Sequence, residues 1–240
     1  MKTTIMMWAA TVTCLAPSLP AAAQAQPREI FIYAAYFHCN KAIYYRADEG
    51  VARLYGPELN GMVKEGLVSS WGWLGKNTGG EWERAGYFTA PSLKAALGAS
   101  AELQVRSDWR PHVRDLAEAC GSSEDYIWHV LAGNDGRGHV GKVAFSTYYV
   151  CDQGRETQVD AEVKRDFAPK FDKLVAAGKL TSWGWAEQIV GGKYRRLSRM
   201  SAPTVESLIA AREQMALDKA VSAICQSHQD YIWDVKDHGP

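Results

Sequence analysis

The chain has no surplus of either charge: 27 Lys and Arg stand against 27 Asp and Glu in 240 residues, for a formal net charge of zero. That balance leaves no electrostatic footprint for nucleic acid or for an anionic membrane surface. Cysteine is scarce, at five residues. No C-x-x-C pair occurs, so the usual spacing of a structural zinc site is missing. Also missing are the G-x-S-x-G elbow, the phosphate-cradling P-loop and the H-E-x-x-H helix. Their absence leaves acyl transfer, nucleotide binding and zinc proteolysis without a sequence signal. No cofactor is assigned and no metal site. Beyond the first residues no apolar run reaches the roughly 20 residues of a membrane-spanning helix.

The N-terminus carries the features of an export signal. Lys2 supplies a positive charge, residues 5–15 form a short, largely apolar run, and Ala23-Gln24-Ala25 offers an A-x-A cleavage site. Thr11 and Thr13 do not suit a lipid-anchoring site at Cys14. Cleavage after Ala25 leaves 240 − 25 = 215 residues and four cysteines. In an oxidising compartment these read as two disulfides, with three possible connectivities. The expected location is periplasmic or secreted, with no integral membrane segment in the mature chain.

What the chain does have is a repeat. Ser70-Trp71-Gly72-Trp73 recurs as Ser182-Trp183-Gly184-Trp185, and 183 − 71 gives an offset of 112. Tyr36 and Tyr148, Cys39 and Cys151, Pro57 and Pro169, Gly66 and Gly178, and Arg84 and Arg196 share it. Near the end of each unit, Asp125-Tyr126-Ile127-Trp128 matches Asp230-Tyr231-Ile232-Trp233 at an offset of 105. The first unit therefore carries 112 − 105 = 7 extra residues after Leu97. The division is a signal segment over 1–25, a first repeat over 26–133, a linker over 134–141 and a second repeat over 142–240.

Each repeat spells the same elements. Residues 30–39 and 143–151 are β-branched and aromatic without a breaker, so they are predicted strands. Val51, Tyr55, Leu59, Met62 and Val63, and their equivalents from Val163 to Val175, recur at helical spacing. Pro57 and Pro169 fall inside that helix and predict a kink or a break. Gly66 and Gly178 suit left-handed caps. Asp48 and Asp160 precede the stripe as N-cap candidates. A hairpin follows, with strands over 68–74 and 82–89 in the first repeat and 180–186 and 194–201 in the second, then a second helix. A last strand over 126–131 or 231–235 closes each unit. The order β-α-β-β-α-β is the ferredoxin-like arrangement, an α+β unit of four antiparallel strands with two helices on one face. Two such units in one chain can cover each other's open face.

Paired units of this kind resemble the dimeric α+β-barrel superfamily, here as a tandem pseudo-dimer within one chain. The resemblance covers nearly the whole mature chain and rests on element order and the repeat. It implies two sheets facing each other as an α+β barrel. The superfamily includes cofactor-free monooxygenases, small isomerases and haem proteins, but no catalytic motif is matched, so no catalytic residue is carried over. In this arrangement the end of strand one lies beside the start of strand four. That pairs Cys39 with Cys120 and Cys151 with Cys225.

Candidate ligand-binding residues follow from alternation along the strands. A hairpin folded symmetrically about its loop sets Trp73 opposite Trp82 and Trp71 opposite Arg84. In the second repeat it sets Trp185 opposite Tyr194 and Trp183 opposite Arg196. Each patch joins three aromatics to an arginine, which can stack on a tryptophan face. Tyr36, His38 and Tyr148 lie on the strand face opposite the cysteines, toward the other repeat. The function expected is binding of a small planar or anionic molecule in an aromatic-lined cavity between the repeats. A cofactor-free monooxygenase or isomerase in the same cavity, and a structural protein of the cell envelope without a ligand, are the alternatives. N-terminal sequencing of the exported protein should find Gln26 as the first residue; an exported chain that still begins at Met1 would contradict the signal segment.

Overall fold

Side-chain alternation gives every strand of this protein an inner and an outer face. The structure is a computed structural model that describes residues 29–107, 112–134 and 140–239. The expected signal segment and most of the expected linker lie outside the described residues. In β1 (Phe31–Cys39) and β3 (Arg84–Ala90), Ile32, Ala34, Tyr36 and Ala85 join one apolar cluster, while Phe31 and Phe88 join another. The first cluster lies inside a barrel and the second beneath helices.

β1 pairs with β3 and β4 (Cys120–Gly133), and β3 pairs with β2 (Ser70–Gly79), giving the order β4-β1-β3-β2. β5 (Val143–Val150), β6 (Ser182–Val190), β7 (Arg196–Ala202) and β8 (Ser227–Gly239) repeat it as β8-β5-β7-β6. β2 pairs with β8 and β4 with β6, which closes one eight-stranded antiparallel barrel. The halves thus join edge to edge around a common interior, rather than as two separate sheets facing each other. Four strands are longer than alternation and breakers suggest, and their added length makes this closure. Gly79 pairs with Tyr231, and Val190 with Ile127. The glycine-rich stretch after Leu74, which reads as a loop, is largely strand. Gly79 has φ +118° with the Asp230 carbonyl where a Cβ would sit, so glycine is required there.

The helices cover the outer face of the sheet. In the first half α1 (Tyr45–Gly50) runs through a π-helical turn, Val51–Tyr55, into α2 (Gly56–Lys64). Pro57 sits in the first turn of α2, and the wide turn before it absorbs the hydrogen bond that proline cannot donate. The second half repeats this in α5 (Glu156–Glu162), the π turn Val163–Phe167 and α6 (Ala168–Ala176). Gly66 and Gly178 take φ of +75° and +68°, as left-handed caps do. The seven extra residues fall in the second helical segment. There α3 (Leu93–Ser107) and α4 (Val113–Ala119) stand against the shorter α7 (Val205–Met215) and α8 (Leu217–Val221). Among the described residues no helix is long and apolar enough to cross a membrane.

Both expected disulfides are present, Cys39–Cys120 and Cys151–Cys225, closing sequence separations of 81 and 74 residues. Loop-closure entropy assigns each about 4 kcal/mol of stabilisation. Peptide mapping without reductant should recover both linkages. Replacing Cys151 and Cys225 together by Ala should cost about that amount in denaturant unfolding, and an unchanged midpoint would contradict it.

Candidate functional site

The hairpin register differs from a fold symmetric about the glycine-rich loop. Trp71 lies opposite Phe88, Trp73 opposite Gly86, and Arg84 opposite Gly75; Trp183 lies opposite Met200, Trp185 opposite Ser198, and Arg196 opposite Glu187. The reason is the length of β2 and β6, which moves the turn away from Leu74. The two expected aromatic–arginine patches therefore do not form. Trp71, Trp73, Trp183 and Trp185 belong to the cores beneath the helices, whereas Trp82 and Tyr194 lie inside the barrel.

The arginines have carboxylate partners. Arg84 donates from Nε and Nη2 to the two oxygens of Asp48 at 2.7 and 2.8 Å, and Trp73 Nε1 donates to Asp48 Oδ1 at 2.8 Å. Arg196, Asp160 and Trp185 repeat this at 2.8, 2.7 and 2.8 Å. Asp48 and Asp160 lie within α1 and α5, not at their N-caps, and they tie helix to sheet. Arg84 also stacks on Tyr44, 4.1 Å from the ring centre. These are structural clamps, each a bidentate ion pair with a third donor, buried in the second half and part-buried in the first.

Inside the barrel, eight large aromatics fill one end: Tyr36, Trp82, Tyr126, Trp128, Tyr148, Tyr194, Tyr231 and Trp233. Trp82 stacks between Tyr36 and Tyr231, with ring centres 4.3 and 5.2 Å away. Trp128 Nε1 donates to the Tyr36 oxygen at 3.2 Å, and the Tyr36 and Tyr148 rings meet edge to face at 5.3 Å. Burial raises the phenols: Tyr126 and Tyr194 to about 12, and Tyr36 and Tyr148 well above their usual value. His38 lies at the rim, half-exposed, 3.3 Å from Glu124 Oε1. Tyr126, Trp128, Tyr231 and Trp233 were not among the sequence candidates. The Asp-Tyr-Ile-Trp repeat held the signal, because residues two apart on a strand share a face.

Two spaces remain. The other end of the barrel, where Ala34, Ala85 and Ala144 replace bulky residues, encloses a cavity of about 90 Å³. Tyr36, Tyr148, Tyr87 and Arg199 also line it. The second space, of about 130 Å³, lies between the sheet and the helices of the first half. Its walls include Phe37, Tyr55, Leu59, Trp71, Trp73, Phe88 and Leu103. At the matching places the second half has Tyr149, Phe167, Phe171, Trp183, Trp185, Met200 and Met215. Phe171 stacks on Trp183 at 4.8 Å, and only a gap of about 10 Å³ is found there. Among the sequence candidates, Trp71 and Trp73 line the helix-side space, and Tyr36, Tyr148 and Trp71 line the barrel space.

No family model matches the chain, and no curated protein does. Solved structures match over nearly its full length. A candidate monooxygenase from Lactobacillus acidophilus superposes with TM-score 0.60 at 8% identity, covering 89% of this chain and 96% of that one. An anthrone oxidase-like protein gives 0.53 at 12%, covering 90% and 94%. A dye-decolourising peroxidase from Bacteroides thetaiotaomicron gives 0.51 at 8%, covering 90% and 95%. The fold is that of the dimeric α+β barrels, with one chain supplying both halves. A haem, which the peroxidase likeness raises, does not fit these spaces. Both are small beside a tetrapyrrole.

Two outcomes follow for the clamps and the phenols. Asp160→Ala strands a buried arginine and should cost about 3 kcal/mol or more in unfolding experiments; a change near zero would contradict the clamp. Tyrosines whose folded pKa is raised contribute stability that is complete below about pH 10 and is lost as pH rises toward 12. Spectrophotometric titration should show a late-ionising group of tyrosines that merges with the rest on unfolding.

Proposed function

We propose that this chain is an exported small-molecule-binding protein, built of two ferredoxin-like units over 26–133 and 142–240 with a linker at 134–141. It holds a small, planar, apolar molecule in the helix-side cavity of the first unit. The observation that carries this reading is the difference between the repeats. The same scaffold is packed in one copy and hollow in the other. Leu59 stands where the second unit has Phe171, and Gly86 where it has Ser198. Native interiors are close-packed, and an apolar cavity of about 150 Å³ stays dry and takes up benzene. A wall of aromatic faces favours a flat ligand.

Binding fits this cavity better than turnover. A cofactor-free monooxygenase or isomerase needs a group that takes a proton from its substrate. Among the described residues the lining has no histidine or carboxylate, and burial raises the phenols of Tyr33 and Tyr87, which keeps them protonated at neutral pH. Export rests on the N-terminal sequence, and the two disulfides suit it.

Native mass spectrometry of protein purified from its own host should show a retained small molecule. Leu59→Phe, which copies the packed repeat, should abolish that adduct while leaving the melting temperature unchanged or higher. An adduct that survives Leu59→Phe would overturn the assignment.

A further inference from the structure

The barrel cavity differs in chemistry from the helix-side one. Its body is aliphatic, formed by Ile32, Ala34, Leu74, Ala85, Leu197 and Val235. Four of its hydroxyls are engaged with one another in pairs. Ser70 Oγ lies 2.8 Å from Thr89 Oγ1, and Ser182 Oγ lies 2.6 Å from Ser201 Oγ, the same contact in both repeats. These groups give a ligand little to bind.

One position breaks the symmetry. Tyr87 and Arg199 are equivalent residues, since 199 − 87 = 112, and both line the cavity. Each lies over a glycine of the neighbouring strand. A Cβ on Gly72 would fall 2.6 Å from the Tyr87 ring, and one on Gly184 would fall 3.0 Å from Arg199 Nε. The glycines thus let both side chains lie along the inner wall, and the Arg199 charge acts on the Tyr87 phenol. Among the described residues no carboxylate or histidine lines this space. Arg199 has an interaction of its own within the chain. A guanidinium carries five N–H donors, however, so a ligand adds an acceptor rather than filling a vacancy. The Tyr87 hydroxyl, without a hydrogen-bond partner among the described residues, is a second donor beside it.

We infer that the barrel interior is a second binding site, selective for a small monocarboxylate whose apolar body enters among the alanines and whose carboxylate meets Arg199 and Tyr87. A carboxylate brought to a half-buried guanidinium makes charge-assisted hydrogen bonds of the strong kind. An aliphatic wall with a single cation among its described residues accepts one anionic head and disfavours a second charge. The two spaces share Trp71, Gly86 and Tyr87 in their walls, but the described lining of the helix-side one carries no cation.

The test is calorimetric titration of the purified protein with benzoate and with benzamide, its uncharged isostere. Benzoate should bind, and benzamide should bind at least about tenfold more weakly. Arg199→Gln should remove the preference for benzoate. Ala85→Leu, which fills the cavity and leaves Arg199 in place, should abolish binding of both. Leu59→Phe should leave the benzoate titration unchanged, which separates this site from the helix-side one. Equal affinity for the two probes, a preference that persists in Arg199→Gln, or no benzoate binding at millimolar concentration would each overturn the inference. If Arg199→Gln fails to fold, Tyr87→Phe reads the second donor, and an unaltered preference there together with unaltered binding in Ala85→Leu would also overturn it.

Discussion

Unpaired sheet edges are the constraint on which this structure depends. A four-stranded sheet leaves two edges whose N–H and C=O groups need partners. Each half presents such edges at β2 and β4, or at β6 and β8, and each is paired by an edge of the other half. Closure explains why those strands outrun their sequence signals, and why Gly79 takes a conformation closed to other residues. It also creates an interior that belongs to neither half. Eight aromatics fill one end of it, and alanines leave the other open.

The second organising feature is the pair of clamps that hold the helical layer on the barrel. Asp48 and Asp160 each gather an arginine and a tryptophan from two adjacent strands. Burying charge is costly unless the pairing is complete, and here both carboxylate oxygens and the indole N–H are engaged. Duplication has kept one such clamp and one disulfide in each half. It has not kept the packing above the sheet, where Leu59 and Phe171 lead to different interiors. Conserved framework with divergent filling is what a binding role confined to one half requires.

Much of the fold was legible in the sequence, because a repeat states each element twice. The helical stripe, the paired prolines, the capping glycines and the cysteine positions all mark local structure. The barrel was reached through element order and resemblance, whereas its closing pairs were not, since β2–β8 and β4–β6 join residues with no local signal. The site was less legible. Alternation placed Tyr36 and Tyr148 inward, but the hairpin register could not be read through a glycine-rich strand, and Arg84 and Arg196 were set beside the wrong partners. The residues matched between the repeats belong to the framework. The helix-side cavity lies where the repeats differ, at Leu59 against Phe171, and the barrel cavity holds a second difference, Tyr87 against Arg199.

The central claim is that the first half is hollow beneath its helices and the second is not. A crystal of the protein pressurised with xenon tests it without knowledge of any ligand, because xenon enters dry apolar cavities. The expected result is a xenon atom among Phe37, Leu59 and Leu103, with none at Tyr149, Phe171 and Met215. Equal xenon density at both places, or density in the second half alone, would contradict the account.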